Sequence, residues 1–403
     1  MPDFDTPAHA HLRSSGELAA WTQALVRVPS PQTELMEAEP AVLEFLAGPV
    51  SALLRDAGLK PRRSPMGDLI VELDGETDGP TVLLVAYAMT HPASSMRDPY
   101  SGELVHGATG TAVRGRGAAE QKGALAASIA AVAAVGAVGL RRGRLVFAVS
   151  TAGETGRHDS IRTILSVLDR QPSSAVIAIG TGNRIALGNK GRVDFDVVVT
   201  GKACHSSTPW LGINAIDGAR LVLDRLAGID LSGRRHPELG FASLTATHIA
   251  TGPNATHTVQ NIARITFDRR LLPGDDPAQA LAEIESALAD IDPDYGIEIR
   301  PGPMMYPAEI APDGILMAQL RRGFEACGQA VPEAFYSHRA LDAGYLLDRG
   351  CEETLWGPGE MSLFHTDEEL VPVAAVRRSA EDYLTFIHST LGLRVTNEKG
   401  GAA

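Results

Sequence analysis

Short runs of consecutive apolar residues, alternating with helix-length segments, constrain the fold of this 403-residue chain more than any other feature. Each run is bounded by Gly, Pro or charged residues and is too short for a helix, so it is predicted to be a buried strand. Strands alternating with helices predict a layered α/β domain, with a mixed sheet flanked by helices. The predicted strands are Asp68–Leu73, Thr81–Ala88, Leu145–Ser150 and Ala175–Ile179, and the helices between them are Lys122–Gly139 and Ile161–Arg170.

The pattern changes at Gly191. In the next segment, Arg192–Thr200, apolar residues occupy alternate positions, which predicts a strand with one exposed face. A helix at Asn214–Ala227, two further strands and a helix at Pro277–Ile291 follow. This order predicts a small α+β unit whose sheet has one open face.

After this unit the α/β pattern resumes and continues to about residue 391. We therefore expect a discontinuous main domain, residues 1–190 and 304–403. An inserted domain at 191–303 interrupts it.

Composition and charge restrict the partners. The formal net charge of −13 and the pI near 5.4 argue against nucleic acid and anionic membranes. Three scattered cysteines argue against a disulfide framework and fit a reducing compartment. The amino terminus lacks the apolar core of a secretory signal, and the uncharged run at 123–140 is rich in Ala and Gly, as in a helix buried against a sheet. We expect a cytoplasmic protein.

Polar residues follow the predicted strands where ligands bind in α/β proteins, beyond the carboxyl ends of the strands. These residues lie at 87–91, at 151–154 and in the loop 117–123, and His365 stands just before a helix. They are the candidates for a site in the main domain.

Three of these candidates, Glu120, Glu154 and His365, form a nitrogen and oxygen donor set suited to Zn²⁺ or Mn²⁺. Taken singly, each is more often a solvated carboxylate or a packed histidine. Spacing alone therefore does not establish a metal site.

Four motifs occur in order along the chain: R-G-R-G-A-A-E-Q-K-G-A-L-A-A (Arg114–Ala127), G-K-A-C-H-S-S-T-P-W-L-G-I-N-A-I (Gly201–Ile216), D-R-R-L-L-P-G-D-D (Asp268–Asp276) and F-H-T-D-E-E-L-V (Phe364–Val371). They resemble the family of acetylornithine deacetylase, succinyl-diaminopimelate desuccinylase and carboxypeptidase G-type enzymes, which is peptidase M20-like. The resemblance extends from about residue 15 to 390. It implies a layered catalytic domain with an inserted ferredoxin-like dimerisation domain, and it bears less strongly on activity.

The resemblance implies that the first of the family's two metal ions has lost both ligands that it does not share. Active members carry G-H-x-D after the second long strand, where this chain has Ala86–Met89. Tyr87 thus replaces a metal-binding histidine, and Met89 replaces its supporting aspartate. Ile179 replaces the acid that binds the same ion.

The second metal ion keeps its ligands by the same resemblance: Glu120 in place of the bridging aspartate, with Glu154 and His365. The resemblance thus implies one divalent ion per chain, Mn or Zn, loosely held. The family's catalytic glutamate is replaced by Gly153, and general acid–base help of this kind contributes about 10²–10⁴-fold.

Two further residues receive catalytic roles from the resemblance. Tyr87, if it points inward, would orient water or donate to a leaving group, and its alternative role is to fill the vacated metal site. His205 matches a histidine that reaches the partner subunit's site and stabilises an oxyanion. It implies a homodimer or a higher homo-oligomer.

Substrate-binding residues are also implied. Arg270 matches an arginine that grips a substrate carboxylate. Asn254 and His257 lie near the family's substrate-binding asparagine, and the register leaves the choice open. His338 and Arg339 either add contacts in the substrate pocket or are surface residues, and we expect them to be surface residues. We expect the remaining polar residues to be ordinary loop residues: His91, Asp98, His106 and His158.

Three functions remain open at this point. The first is a mononuclear metal-dependent hydrolase of a C–N bond in a small carboxylate, either an amidohydrolase or an aminohydrolase of the 5-nitroanthranilate type. The second is an inactive relative that binds a ligand or partner through the old cleft. The third is a metal-independent enzyme that uses Tyr87 and His205, and the retained donor set disfavours it.

Overall fold

The structure is a computed structural model in which five stretches of the chain are described. These stretches are residues 8–107, 110–152, 156–253, 255–292 and 294–394.

The chain divides into two compact units. The second unit comprises residues 188–309 and 336–345, and the first comprises the rest of the chain. The sequence predicted an insertion at 191–303 and assigned 336–345 to the main domain. The short segment 336–345 thus groups with the second unit, because its own contacts lie there.

Seventeen strands and ten helices are present in the described residues. The strands are β1 (Arg62–Arg63), β2 (Leu69–Tyr87), β3 (Glu103–Gly107), β4 (Gly110–Arg114), β5 (Leu140–Ser150), β6 (Ser174–Ala178), β7 (Ile185–Asn189), β8 (Gly191–Thr200), β9 (Arg235–His236), β10 (Gly240–Phe241), β11 (Ser243–Gly252), β12 (Ile262–Leu271), β13 (Gly296–Met305), β14 (Ala308–Glu309), β15 (Ala334–Ser337), β16 (Glu352–Trp356) and β17 (Leu370–Pro372). The helices are α1 (Ser15–Val26), α2 (Pro40–Phe45), α3 (Ser51–Asp56), α4 (Gly123–Val138), α5 (Asp159–Ser166), α6 (Ala215–Ala227), α7 (Pro277–Leu288), α8 (Ile315–Ala326), α9 (Ala343–Leu347) and α10 (Val373–Leu391).

The main sheet of the first unit is mixed. The second half of β2 is parallel to β5 and to β6, and β6 is parallel to β16, whereas β1 is antiparallel to β2. The two strands predicted at 68–73 and 81–88 are the two buried halves of β2, and the residues between them are largely exposed. Because carboxyl ends of parallel strands share one edge, Tyr87, Ser150 and Ala178 end at the same edge of the sheet.

Helix α4 packs against this sheet and against α10. Its Ala-rich sequence has no polar face, and nearly all of its residues are buried, as expected for a helix enclosed by other elements. Within the described residues, Ala118–Val138 is the one helical segment long and apolar enough to cross a membrane, and 89% of its most apolar window is buried in the protein.

The segment from Ala38 to Gly58 has the apolar spacing of a helix in the sequence, and Pro49 divides it in the structure. The structure has α2, then a π-helical turn at Leu46–Val50, then α3. Proline has no N–H to donate and its ring crowds the preceding turn, so the regular helix is interrupted there.

The second unit contains the order β8-α6-β11-β12-α7-β13, which is the β-α-β-β-α-β order of a ferredoxin-like domain. Its antiparallel sheet has the order β11-β12-β8-β13. Val193, Phe195 and Val197 of β8 point into a core shared with both helices, and the alternate residues lie on the open face. The predicted fold class, a layered α/β domain plus an inserted α+β domain, is confirmed.

The buried carboxyl group of Glu353, on β16, should weaken the sheet at alkaline pH. Its Oε2 atom has no hydrogen-bond partner within the described residues, and burial raises its pKa to about 8. Because an unfolded glutamate ionises near pH ~4.3, the folded chain retains a proton that the unfolded chain releases. The free energy of unfolding therefore falls as pH rises from about 4 to about 8.

We expect Glu353→Gln, which is neutral at every pH, to be more stable than wild type by about 5 kcal/mol at pH 9 and by about 1 kcal/mol at pH 5. Urea unfolding at pH 5, 7 and 9 measures the difference. Glu325→Gln is the control, because Glu325 is exposed on α8. An equal stability difference between Glu353→Gln and wild type at all three pH values would contradict the expectation.

Candidate functional site

The structure brings Glu120 and His365 together. Glu120 lies in a π-helical turn, Ala118–Lys122, directly before α4, and its side chain is 2% exposed. His365 lies in the loop before β17, and its Nε2 atom is 3.1 Å from Glu120 Oε1. The pair thus joins a buried carboxylate to an imidazole that is 39% exposed.

A fully buried ion pair, Arg116 with Glu369, holds the segments around these two residues. Glu369 accepts hydrogen bonds from Arg116 Nη1 and from the backbone N–H groups of Gly117, Ala119 and Glu120. Burial raises the pKa of the Glu369 carboxyl, while the Gly117 N–H and the Arg116 guanidinium act in the opposite direction. One carboxylate therefore binds most of the turn that carries Glu120.

The Arg116 guanidinium reaches two further segments. Nη1 also donates to the carbonyl oxygen of Thr366, beside His365, and Nη2 donates to that of Ala93. Arg116 thus connects the loop after β2, the turn before α4 and the loop before β17.

Gly117 allows the loop after β2 and the turn before α4 to approach closely. Its φ is +77°, in the left-handed region, and a Cβ atom there would lie 2.4 Å from Thr90 Cγ2. Only glycine fits this position without moving Thr90.

His91 also belongs to this site, although the sequence predicted an ordinary loop residue. Its ring stacks on that of His365, with centroids 4.0 Å apart and an interplanar angle of 21°. Burial lowers the pKa of His91, and the charges of His365 and Arg116 act in the same direction. Motif matching missed His91 because it lies four residues after Tyr87, the motif position. The sequence did contain one indication of its role, because His91 is a histidine that closely follows the end of a predicted strand.

The replaced positions of the first metal ion are buried. Tyr87 is 1% exposed, Met89 0% and Ile179 2%. Met89 and Ile179 offer no oxygen or nitrogen side-chain donor, so this region is not suited to a hard divalent ion. The burial of Tyr87 is what we expect if its side chain fills the position of the lost metal ion.

The end of β5 is fixed by Asp68. Its Oδ1 atom accepts hydrogen bonds from Thr151 N at 2.7 Å and from Ser160 Oγ at 2.6 Å. Gly153 and Glu154 lie between Thr151 and Ser160 in the sequence and are outside the described residues.

Within the described residues, no group of three or more His, Cys, Asp or Glu side chains is arranged to hold a metal ion.

The other predicted site residues lie in the second unit. His205 and His257 are exposed neighbours, with ring centroids 6.4 Å apart, and His205 Nδ1 is 2.8 Å from Ser207 Oγ. Asn254 lies outside the described residues. Both described histidines are therefore accessible on the surface of this unit taken by itself.

Arg270 already has a carboxylate partner. Its Nε and Nη2 atoms donate to the two oxygens of Asp268, at 2.8 and 2.9 Å. Asp268 is two residues away on the same face of β12, as strand geometry requires. Arg270 must exchange this bidentate contact to bind a substrate carboxylate. His338 and Arg339 also lie in this unit, and burial lowers the pKa of His338.

Among the comparisons with known proteins, one matches a segment within or beside the second unit, and the others cover most of the chain. A family model described as a peptidase dimerisation domain, M20_dimer, matches residues 187–296. A probable carboxypeptidase of Uncinocarpus reesii is 25% identical over 346 residues, covering 82% of this chain and 73% of the relative. A succinyl-diaminopimelate desuccinylase of Cereibacter sphaeroides is 25% identical over 312 residues, covering 73% and 80%. The M20 family metallo-carboxypeptidase Sso-CP2 of Sulfolobus solfataricus has a similar structure, with TM-score 0.74 and 15% identity, covering 93% of this chain and 99% of that one.

Removing Arg116 should destabilise the first unit strongly. Arg116→Ala leaves the Glu369 carboxylate buried without its ionic partner, which costs about 3–5 kcal/mol. Arg114→Ala is the matched control, because Arg114 faces an exposed Glu103 at 3.8 Å and such pairs contribute about 0–1 kcal/mol. Urea unfolding of both variants tests the difference, and similar losses would contradict a special role for Arg116.

Proposed function

Because this chain is an M20-like protein, we propose that it is a metal-dependent hydrolase that cleaves a C–N bond of a small carboxylate substrate. The observation that carries the proposal is the pairing of Glu120 with His365 at 3.1 Å, near the carboxyl-end edge of the main sheet. Ligands of α/β proteins bind at this edge. The names of the relatives, carboxypeptidase and desuccinylase, support the same reaction class.

The spacing of the pair fits a shared divalent ion. Two ligand atoms, each about 2.1 Å from one ion and at the tetrahedral angle, lie about 3.4 Å apart. The observed separation of 3.1 Å needs only a small adjustment. We propose that Glu120 and His365 hold one ion together with Glu154, whose role rests on the family motif.

The other half of the site supports one ion per chain. The positions of the first ion's private ligands hold Tyr87 and Ile179, both buried. A bound divalent ion supplies a Lewis acid that lowers the pKa of water and polarises the substrate. We propose that Zn²⁺ or Mn²⁺ takes this role, since both accept carboxylate and imidazole ligands.

The second unit supplies the assembly and the substrate contacts in this proposal. The match to a peptidase dimerisation domain supports a homodimer. His205, exposed and able to donate a hydrogen bond, would stabilise an oxyanion in the partner subunit's site. Arg270 would exchange Asp268 for the substrate carboxylate, with His257 or Asn254 nearby in the chain.

The replacement of the family's catalytic glutamate supports a particular class of substrate. Gly153 stands where that glutamate belongs, and a substrate that accepts negative charge itself depends less on this residue than an amide does. An aromatic ring bearing an amine and electron-withdrawing groups, as in 5-nitroanthranilate, has this property. We propose an aminohydrolase of this type as the specific form of the activity, with N-acyl amino acids as the alternative substrates.

Metal analysis tests the site count. After equilibrium dialysis against Zn²⁺ or Mn²⁺, we expect one ion per wild-type chain and at least tenfold weaker binding for His365→Ala, because a ligand is lost. Tyr87→Phe is the control and should keep the ion. Two tightly bound ions in wild type would contradict the single site, and none would favour a relative that binds ligands without metal chemistry.

A metal-supplemented activity screen over N-acyl amino acids and amino-substituted aromatic acids tests the reaction. We expect turnover of at least one compound, and loss of that turnover in His365→Ala. If the chain binds one ion and turns over no compound, the proposed reaction is wrong while the metal site stands.

Arg270→Ala should raise KM for a carboxylate substrate about tenfold, because a bidentate, charge-assisted contact is lost. Arg264→Ala is the matched control, since Arg264 lies six residues earlier on β12 and pairs with Asp196. Steady-state kinetics measure both variants. An unchanged KM for Arg270→Ala, or an equal rise in the control, would remove the assigned role.

A further inference from the structure

His91 occupies a fixed position beside the Glu120–His365 pair. Its ring lies 4.0 Å, centroid to centroid, from that of His365. The residue before it, Thr90, is bonded through its backbone to Ser30, and Ala93 accepts from Arg116. The imidazole is therefore carried by a segment that is anchored on both sides.

The hydrogen bond that His91 makes determines which nitrogen carries the proton. Nδ1 lies 2.9 Å from the carbonyl oxygen of Pro92. A carbonyl oxygen only accepts, so Nδ1 carries the hydrogen, and in the neutral ring Nε2 holds the free lone pair. His91 therefore has a proton-accepting nitrogen, Nε2, on a ring that stacks on His365.

The stacking excludes His91 as a second imidazole ligand of the ion that His365 would hold. A metal ion lies in the plane of each imidazole that binds it, about 2.1 Å from the nitrogen. Two rings stacked at 4.0 Å with a tilt of 21° have planes that meet only about 10 Å away. No single ion satisfies both rings in this arrangement, so the Nε2 lone pair of His91 stays available.

We propose that His91 is the general base of the site and replaces the glutamate that is absent at Gly153. The inference rests on the proposed function. His91 Nε2 takes a proton from water as the water oxygen bonds to the substrate carbon. The C–N bond then breaks, and the leaving nitrogen takes the proton that His91 holds. One water is consumed, and the ring returns to its starting state without any oxidant or further reactant.

The test compares His91→Gln with two matched variants in the full-length, metal-loaded protein. His365→Gln removes a proposed ligand, and His106→Gln removes an exposed histidine of β3 that bonds to Thr111. We expect His91→Gln to keep its affinity for Zn²⁺ within threefold of wild type and to lower kcat by about 10²–10⁴-fold. KM should change little, and His106→Gln should match wild type throughout.

Two outcomes of this comparison would overturn the inference. A tenfold or greater loss of Zn²⁺ affinity in His91→Gln would make His91 a ligand. A kcat within threefold of wild type would show that proton transfer does not pass through it.

A second measurement does not depend on turnover. In protein labelled with ¹⁵N-histidine, we expect His91 to be protonated at Nδ1 and unprotonated at Nε2 at pH 8, with and without Zn²⁺. A zinc-ligated Nε2, or a proton on Nε2 instead of Nδ1, refutes the base. If no substrate is turned over, the proposed reaction fails, and this spectrum still decides whether His91 has the required free nitrogen.

Discussion

The buried ion pair between Arg116 and Glu369 is the interaction on which the rest of the candidate site depends. Glu369 binds the backbone of the turn that carries Glu120, and Arg116 reaches carbonyl oxygens beside His91 and His365. A buried ion pair gives little net stability relative to apolar packing, because both charges lose their water. We therefore infer that the main role of this pair is to fix the relative positions of three segments. These are the loop after β2, the turn before α4 and the loop before β17.

The site that these loops form is unequal in its two halves. Glu120, His91 and His365 bring oxygen and nitrogen atoms together on one side, whereas Met89 and Ile179 are buried where the resemblance places the other ion. Apolar side chains disfavour a divalent ion, because they offer nothing that replaces its water ligands. This division supports the prediction of a single ion beside Glu120 and His365.

The fold was predictable from the sequence because its signals are local and periodic. Apolar and polar residues alternate in β8 because only one face of this strand is buried. Apolar residues are consecutive in parts of β2 and β5 because both faces are buried there. The meeting of Glu120 and His365 was expected only through the motifs, since 245 residues separate them. Their roles as ligands stay predictions.

Other features depend on contacts that no periodicity encodes. His91 was expected only as a loop residue, because its position beside His365 depends on a loop that is bonded to Arg116. The geometry of such a loop cannot be predicted from residue spacing. Glu369 was overlooked in a run of acids, where only burial distinguishes it from its exposed neighbour Glu368. The hydrogen bonds from Arg270 to Asp268 follow from strand geometry, since the two residues lie on the same face of β12. The motif predicted a substrate carboxylate as the partner of Arg270 instead.

Anomalous diffraction from crystals of the protein soaked in Zn²⁺ or Mn²⁺ tests the central claim most directly. The account predicts one peak per chain, within about 2.3 Å of both a Glu120 carboxylate oxygen and His365 Nε2. A second peak beside Tyr87 and Ile179, or no peak between Glu120 and His365, would contradict it.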